Sequence, residues 1–205
     1  MERLNPYLNY IATTSHLPNK TFVRAYDCRF LFVLSGEGEL ITRNEQFLLS
    51  KNTLAYYPAG SDYFLKSSIK DPLSFVTVNF DFTRSYPKRT APFGPVKPCD
   101  YLPKNERPTQ TEISLKCFSS VFTIKNAFFL RDDFILLSSL FEKEEAYTDE
   151  MCATLLKYII LKISNHFCTE RQENKIVRQV IDFIEDNYAN ELDNSIIANI
   201  YRMRA

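Results

Sequence analysis

Between residues 21 and 83, short runs of Phe, Val, Leu, Tyr and Thr are separated by breakers at Gly36-Glu37-Gly38, Asn44-Glu45, Lys51-Asn52, Pro58-Ala59-Gly60 and residues 67 to 72. Short apolar runs divided by turn residues predict the antiparallel strands of a sandwich or barrel. Residues 75 to 82 alternate strictly, with Val76, Val78, Phe80 and Phe82 on one face and Thr77, Asn79 and Asp81 on the other. This pattern predicts a strand with one packed face. Residues 30 to 34 are apolar on both faces, as suits a strand buried between an interior and an outer layer, and a closed or nearly closed barrel follows.

All four glycines precede residue 95, and six of the ten prolines fall between Pro87 and Pro108. The stretch 84 to 110 is too long and too broken for a hairpin loop and reads as an excursion across the barrel or a flap. Residues 112 to 130, with Ile113, Val121, Phe122 and Ile124, still look extended. The period then changes. Phe134, Leu137, Leu140 and Phe141 mark one helical face, and Cys152, Leu155, Leu156, Ile159, Ile160, Ile163 and Phe167 make a broad buried stripe over 149 to 167. A second stripe at Met151, Tyr158 and Leu161 lies on another side of that helix, so it must cover a second partner, such as another subunit. Ile176, Val177, Val180, Ile181, Ile184 and Tyr188 predict a further helix ending near Ala189-Asn190, with Asp193 or Asn194 capping a short one through Ile200.

Charge adds an exclusion. The 205 residues carry 25 Lys and Arg against 25 Asp and Glu, which argues against holding nucleic acid or anionic lipid by bulk electrostatics. Cys28, Cys99, Cys117, Cys152 and Cys168 are scattered and form no metal-spaced pair, so they read as reduced, mostly buried thiols. No apolar run near the N-terminus has the length of a signal peptide or membrane span, and a soluble, cytoplasmic protein is expected.

Catalytic chemistry finds few candidates. The two histidines, His16 and His166, stand in the N-terminal arm and near a helix end, so no metal site can be assembled inside the barrel, and none is expected. There is no nucleophile elbow, and Gly36-Glu37-Gly38 precedes a strand rather than a helix, so it is a turn and no phosphate loop. No cofactor and no enzymatic activity are expected. What remains is a pocket of aromatic and small polar groups suited to recognition without turnover. Its polar candidates are Arg24, Tyr26, Tyr56, Tyr57, Ser61, Tyr63, Thr77 and Asn79.

These residues carry a family resemblance. The run Arg24-Ala-Tyr-Asp-Cys-Arg-Phe-Leu-Phe-Val-Leu-Ser-Gly-Glu-Gly-Glu-Leu, then Leu54-Ala-Tyr-Tyr-Pro-Ala-Gly, then Val76-Thr-Val-Asn-Phe-Asp resembles the cupin-like sensor domain of AraC-family transcription regulators. Val180-Ile-Asp-Phe-Ile-Glu-Asp-Asn-Tyr and Asn194-Ser-Ile-Ile-Ala-Asn-Ile-Tyr-Arg-Met resemble the opening of that family's DNA-binding domain, with Ala198 at its small-residue position. The resemblance implies an α+β chain: a cupin-like effector-binding barrel over 1–130, dimerisation helices over 131–170, and the start of a truncated helix-turn-helix domain over 171–205. It implies a small-molecule effector, often a sugar, a homodimer, and operator DNA bound only by the full-length protein.

The positions matching the effector pocket are Arg24, Ser61, Tyr63, Phe75 and Thr77. The N-terminal arm, with Tyr7, Tyr10 and His16, is expected to close over the ligand. The sequence stops where the recognition helix should begin, and residues 175 to 205 hold four basic against five acidic side chains. Specific operator binding by this chain is therefore not expected. A cofactor-free cupin enzyme acting on a sugar is the alternative, and a scaffold that only dimerises is a third.

Overall fold

The computed structural model describes residues 4–15, 21–84, 94–106, 113–143 and 145–187. Among the described residues there are nine strands: β1 (Tyr7–Thr14), β2 (Val23–Arg24), β3 (Cys28–Ser35), β4 (Gly38–Thr42), β5 (Gln46–Leu49), β6 (Leu54–Tyr57), β7 (Asp62–Ser67), β8 (Ser74–Asp81) and β9 (Phe122–Ile124). They form one sheet in the order β1-β8-β3-β6-β9 and another in the order β2-β7-β4-β5, with every pairing antiparallel. The first eight strands thus divide as 1-8-3-6 and 2-7-4-5, the connectivity of a double-sheet jelly roll, the architecture that cupins share. The sequence pattern predicts a barrel; the observed form is two sheets over a common core.

That core is built from both sheets: Leu31, Val33, Ala55, Tyr57 and Phe75 from one meet Val23, Leu40, Leu49 and Tyr63 from the other. The alternation of β3 decides its two faces. Leu31 and Val33 point between the sheets, whereas Phe30 and Phe32 form an outer aromatic layer. Phe30 stacks on Phe80 at 4.6 Å and Phe32 on Phe134 at 5.1 Å. Phe134 and Leu137, both fully buried, are the packed face of helix α1 (Arg131–Phe141). β8 departs from the expected single packed face, since Asn79 and Asp81 on its polar side are also buried, between the sheets.

Three sequence expectations change. The N-terminal arm is not free: Tyr7–Thr14 is a strand paired along β8, with a register shift between Leu8 and Tyr10. A bulge inserts one unpaired residue, so buried Leu8 and Ile11 stand three apart and the period of two is broken. His16 lies outside the described residues. Residues 113 to 119 are 3-10 helix rather than extended, because Phe118 packs edge-on against Tyr56, at 5.0 Å, and Phe82, at 5.2 Å.

Finally, the two helices expected over 149 to 167 and from 175 onward are one, α2 (Thr148–Asn187). Residues 168 to 174, Cys-Thr-Glu-Arg-Gln-Glu-Asn, include no Gly or Pro to stop it. The short helix expected from Asn194 lies outside the described residues. The chain divides into two compact units, Met1–Ile160 and Leu161–Ala205; the first holds the jelly roll and α1, and the described part of the second is helical.

Candidate functional site

At one end of the jelly roll β3 turns into β4 through Gly36, whose φ of +86° and position against the Pro72 carbonyl, 2.1 Å from where a Cβ would sit, admit only glycine. The other end is polar. It is formed where β3 begins, β6 and β8 finish and β7 starts, because the antiparallel register sets Arg29 beside both Tyr57 and Asn79 and Tyr7 beside Asp81.

Arg29 Nε donates to Asp27 Oδ1 at 2.9 Å, with the two side chains 7% and 1% exposed. Arg29 Nη1 donates to the Tyr63 hydroxyl at 3.2 Å. The Tyr57 hydroxyl donates to the same oxygen, and the two rings lie 4.4 Å apart. Burial works against the Arg29 charge, but the oxygens of Tyr63 and Asp27 more than offset it and hold the guanidinium ionised. Burial raises the pKa of both Tyr57 and Tyr63 above the usual phenol value. These tyrosines are therefore neutral hydrogen-bonding groups at physiological pH, not bases. Beside them, Asn9 Nδ2 donates to Asp81 Oδ2 at 3.0 Å, and Asn79 is 4% exposed. The side-chain oxygens Asn9 Oδ1 and Asn79 Oδ1 are buried and accept no hydrogen bond from the described residues.

The proline-rich excursion covers this end. Val96 bridges Arg24 through two backbone hydrogen bonds, of 2.8 and 3.1 Å. Tyr101 stacks on Tyr26 at 4.6 Å, and the Leu102 amide donates to the Tyr26 hydroxyl at 3.0 Å. The Tyr101 hydroxyl donates to Glu106 Oε2 at 2.5 Å, and burial together with that bond raises its pKa. The Glu106 carboxylate rests against Gly60, 3.0 Å from where a Cβ would be. Residues 94–106 are thus an ordered strap over the polar end.

Of the five positions expected to contact an effector, three stand at this end. Arg24 Nε and Nη2 grip Asp62 at 2.6 and 3.1 Å, its guanidinium lies 5.0 Å over the Tyr101 ring, and Arg43 reaches the same carboxylate at 2.9 Å. The hydrogen bonds from Arg24 hold the Asp62 carboxyl below the usual carboxylate pKa despite partial burial. Ser61 lies in the turn before Asp62, and Tyr63 is part of the buried group. Thr77 is half-buried on the inner side of β8, opposite Leu31 and Ala12. Phe75 is apart from the others, within the apolar core.

Sequence reading missed Asp27, Arg29, Asp81 and Asn9, and it noted Asn79 only as a polar candidate. The signal was present in part: Asp27 and Arg29 are opposite charges two apart at the start of an apolar run, which in a buried strand requires them to pair. Asn9 gave none, since only the bulge aims it inward.

Among the described residues, no group of three or more His, Cys, Asp or Glu could hold a metal ion. A depression of about 420 Å³ lies at the opposite end, between Glu39, Leu48, Ser67 and Lys125. It is open, and its ionic group is the exposed Lys66–Glu39 pair at 3.2 Å. Met151, Tyr158 and Leu161 of α2 are 44%, 52% and 48% exposed. No described helix is long and apolar enough to cross a membrane.

No family model and no curated protein matches the sequence. Among solved structures, the chain is similar to a cupin protein from Bacteroides fragilis, at 15% identity over 39% of this chain and 70% of that one, with a TM-score of 0.32. It is also similar to a cupin-like protein from Thermotoga maritima, at 13% identity over 39% and 65% of the two chains, with a TM-score of 0.30. A candidate mannose-6-phosphate isomerase from Ralstonia eutropha matches at 12% identity over 38% and 77%, with a TM-score of 0.31. The jelly-roll assignment rests on the strand order itself.

Proposed function

We propose that this chain is the ligand-sensing and dimerisation portion of an AraC-type DNA-binding transcription regulator, taking a small effector at the polar end of its jelly roll. The carrying observation is the buried Asp27, Arg29, Tyr57 and Tyr63 network beside the Asn9 and Asn79 side-chain oxygens, which have no donor among the described residues, roofed by the strap 94–106. Fixed, buried hydrogen-bonding groups suit recognition. The raised pKa values of both tyrosines favour binding over proton abstraction and hence a sensor over a cofactor-free sugar enzyme.

On this reading Arg24, Ser61, Tyr63 and Thr77 meet the effector at and below the strap, and Phe75 is the apolar floor. Met151, Tyr158 and Leu161, seven and three residues apart along α2 and exposed, form the homodimer seam. The division into a sensor over 1–130, a dimerisation segment over 131–170 and the opening of a DNA-binding domain over 171–205 belongs to the same proposal, as do a cytoplasmic location and operator binding by the full-length protein alone.

A thermal-shift panel of sugars, sugar phosphates, amines and short fatty acids tests the sensor. A true ligand at 100 times its Kd adds about 2.7 kcal/mol of stability. Sedimentation should show a dimer that Tyr158→Asp dissociates. A monomer with no stabilising ligand contradicts the reading, and sugar turnover lost in Tyr63→Phe would replace it with the enzyme.

A further inference from the structure

The contacts that hold the strap converge on one side chain. Within residues 94–106, Tyr101 is the one buried residue, at 9% exposed. Its ring stacks on Tyr26 at 4.6 Å and takes the Arg24 guanidinium at 5.0 Å. Its hydroxyl donates to Glu106 Oε2 at 2.5 Å, and the Glu106 carboxylate rests on Gly60. The next residue, Leu102, donates its amide to the Tyr26 hydroxyl at 3.0 Å. Earlier in the strap, Val96 forms an isolated bridge to Arg24 on the short strand β2. Arg24 is itself fixed to the body of the jelly roll by Asp62, at 2.6 and 3.1 Å.

A segment with one buried side chain lies at the low end of local stability, whereas Leu31 and Val33 in the sheet are fully buried. The strap is also stiff, because Pro98 and Pro103 each open a 3-10 turn, Pro98–Asp100 and Pro103–Asn105. Tyr101, Leu102 and Glu106 are tied together, so their holds on Tyr26, Arg24 and Gly60 are released together. A stiff cover released in one step controls what reaches the groups beneath it.

Accepting the polar end as the ligand site, we infer that residues 94–106 are a lid that opens as a unit, with the Tyr101 side chain as its latch. The assignment deepens the sensor reading by naming the element that regulates entry.

Amide hydrogen exchange of the ligand-free chain, followed by NMR as protection factors, tests it. Lifting the strap breaks the bonds donated by the Arg24, Val96 and Leu102 amides. These three should share one protection factor, at least tenfold below that of Val33, whose amide donates to the Thr53 carbonyl within the body. Tyr101→Phe keeps the ring and loses the bond to Glu106. It should lower the protection of all three at least threefold, and Tyr101→Ala at least tenfold, with Val33 and Tm unchanged. A tyrosine that only supports the fold would expose Val33 as well. Nitration of Tyr26 by tetranitromethane, located by peptide mapping, reports access under the strap and should quicken in Tyr101→Phe by the same factor. Unrelated protection at the three amides, opening only together with Val33, or Tyr26 nitration indifferent to Tyr101→Phe overturns the lid and leaves the sensor standing. No stabilising compound in the thermal-shift panel removes both.

Discussion

The Asp27–Arg29 pair is the sharpest test of the polar end. With side chains 1% and 7% exposed and a 2.9 Å contact, neither charge can be stabilised by solvent if its partner is removed. Arg29→Met removes the guanidinium that faces the buried Asp27 carboxylate, and Asp27→Asn removes the carboxylate that accepts from Arg29 Nε. Breaking a buried pair by deleting one partner costs about 3 to 5 kcal/mol. For a domain of this size each kcal/mol lowers Tm by roughly 2 to 4 °C, so either single substitution should lower it by about 6 to 20 °C. The double variant removes both charges and should cost less than the sum of the singles, by about 0.5 to 3 kcal/mol. Urea unfolding followed by circular dichroism gives all four corners of the cycle. A single-variant loss below about 1 kcal/mol, the range of exposed pairs, or strict additivity in the double variant, would refute the claim that these charges are buried and mutually dependent.

Other expectations follow from single contacts. The folded pKa of Asp62 lies below its ordinary 3.8, so its contribution is full above pH 3.8 and is lost as pH falls through the lower folded value. Tm should therefore decline more steeply between pH 5 and 2 in the wild type than in Asp62→Asn. Phe134→Ala empties a fully buried site against Phe30 and Phe32 and should cost about 3 to 5 kcal/mol by denaturant titration, with the outer aromatic layer loosened. Burial pushes the Cys152 thiol up to about 11, so at pH 8 iodoacetamide should modify exposed Cys99 and Cys168 and spare Cys152 until the chain unfolds.

The strands were legible where one physical rule governed them. β3, β6 and β8 announce themselves because their alternation or double-sided apolarity matches burial on a sheet, and Gly36 and Gly60 mark turns that require positive φ. β1 escaped because its bulge breaks the alternation. The segment around Phe118 escaped because aromatic packing from distant strands overrides its local preference for an extended chain. The polar end was half legible: Arg24, Ser61 and Tyr63, read as polar candidates from their places beside turns, stand there. Its buried charges were hidden because a charged residue inside an apolar run looks like an interruption until the register shows its partner.

If the strap-covered polar end receives the ligand, chemical-shift mapping of the first stabilising compound from the thermal panel should give the largest amide shifts at Asn9, Asp27, Arg29, Asn79, Asp81 and Tyr101. Shifts centred instead on Glu39, Lys66 and Lys125, at the open depression on the opposite end, would contradict it.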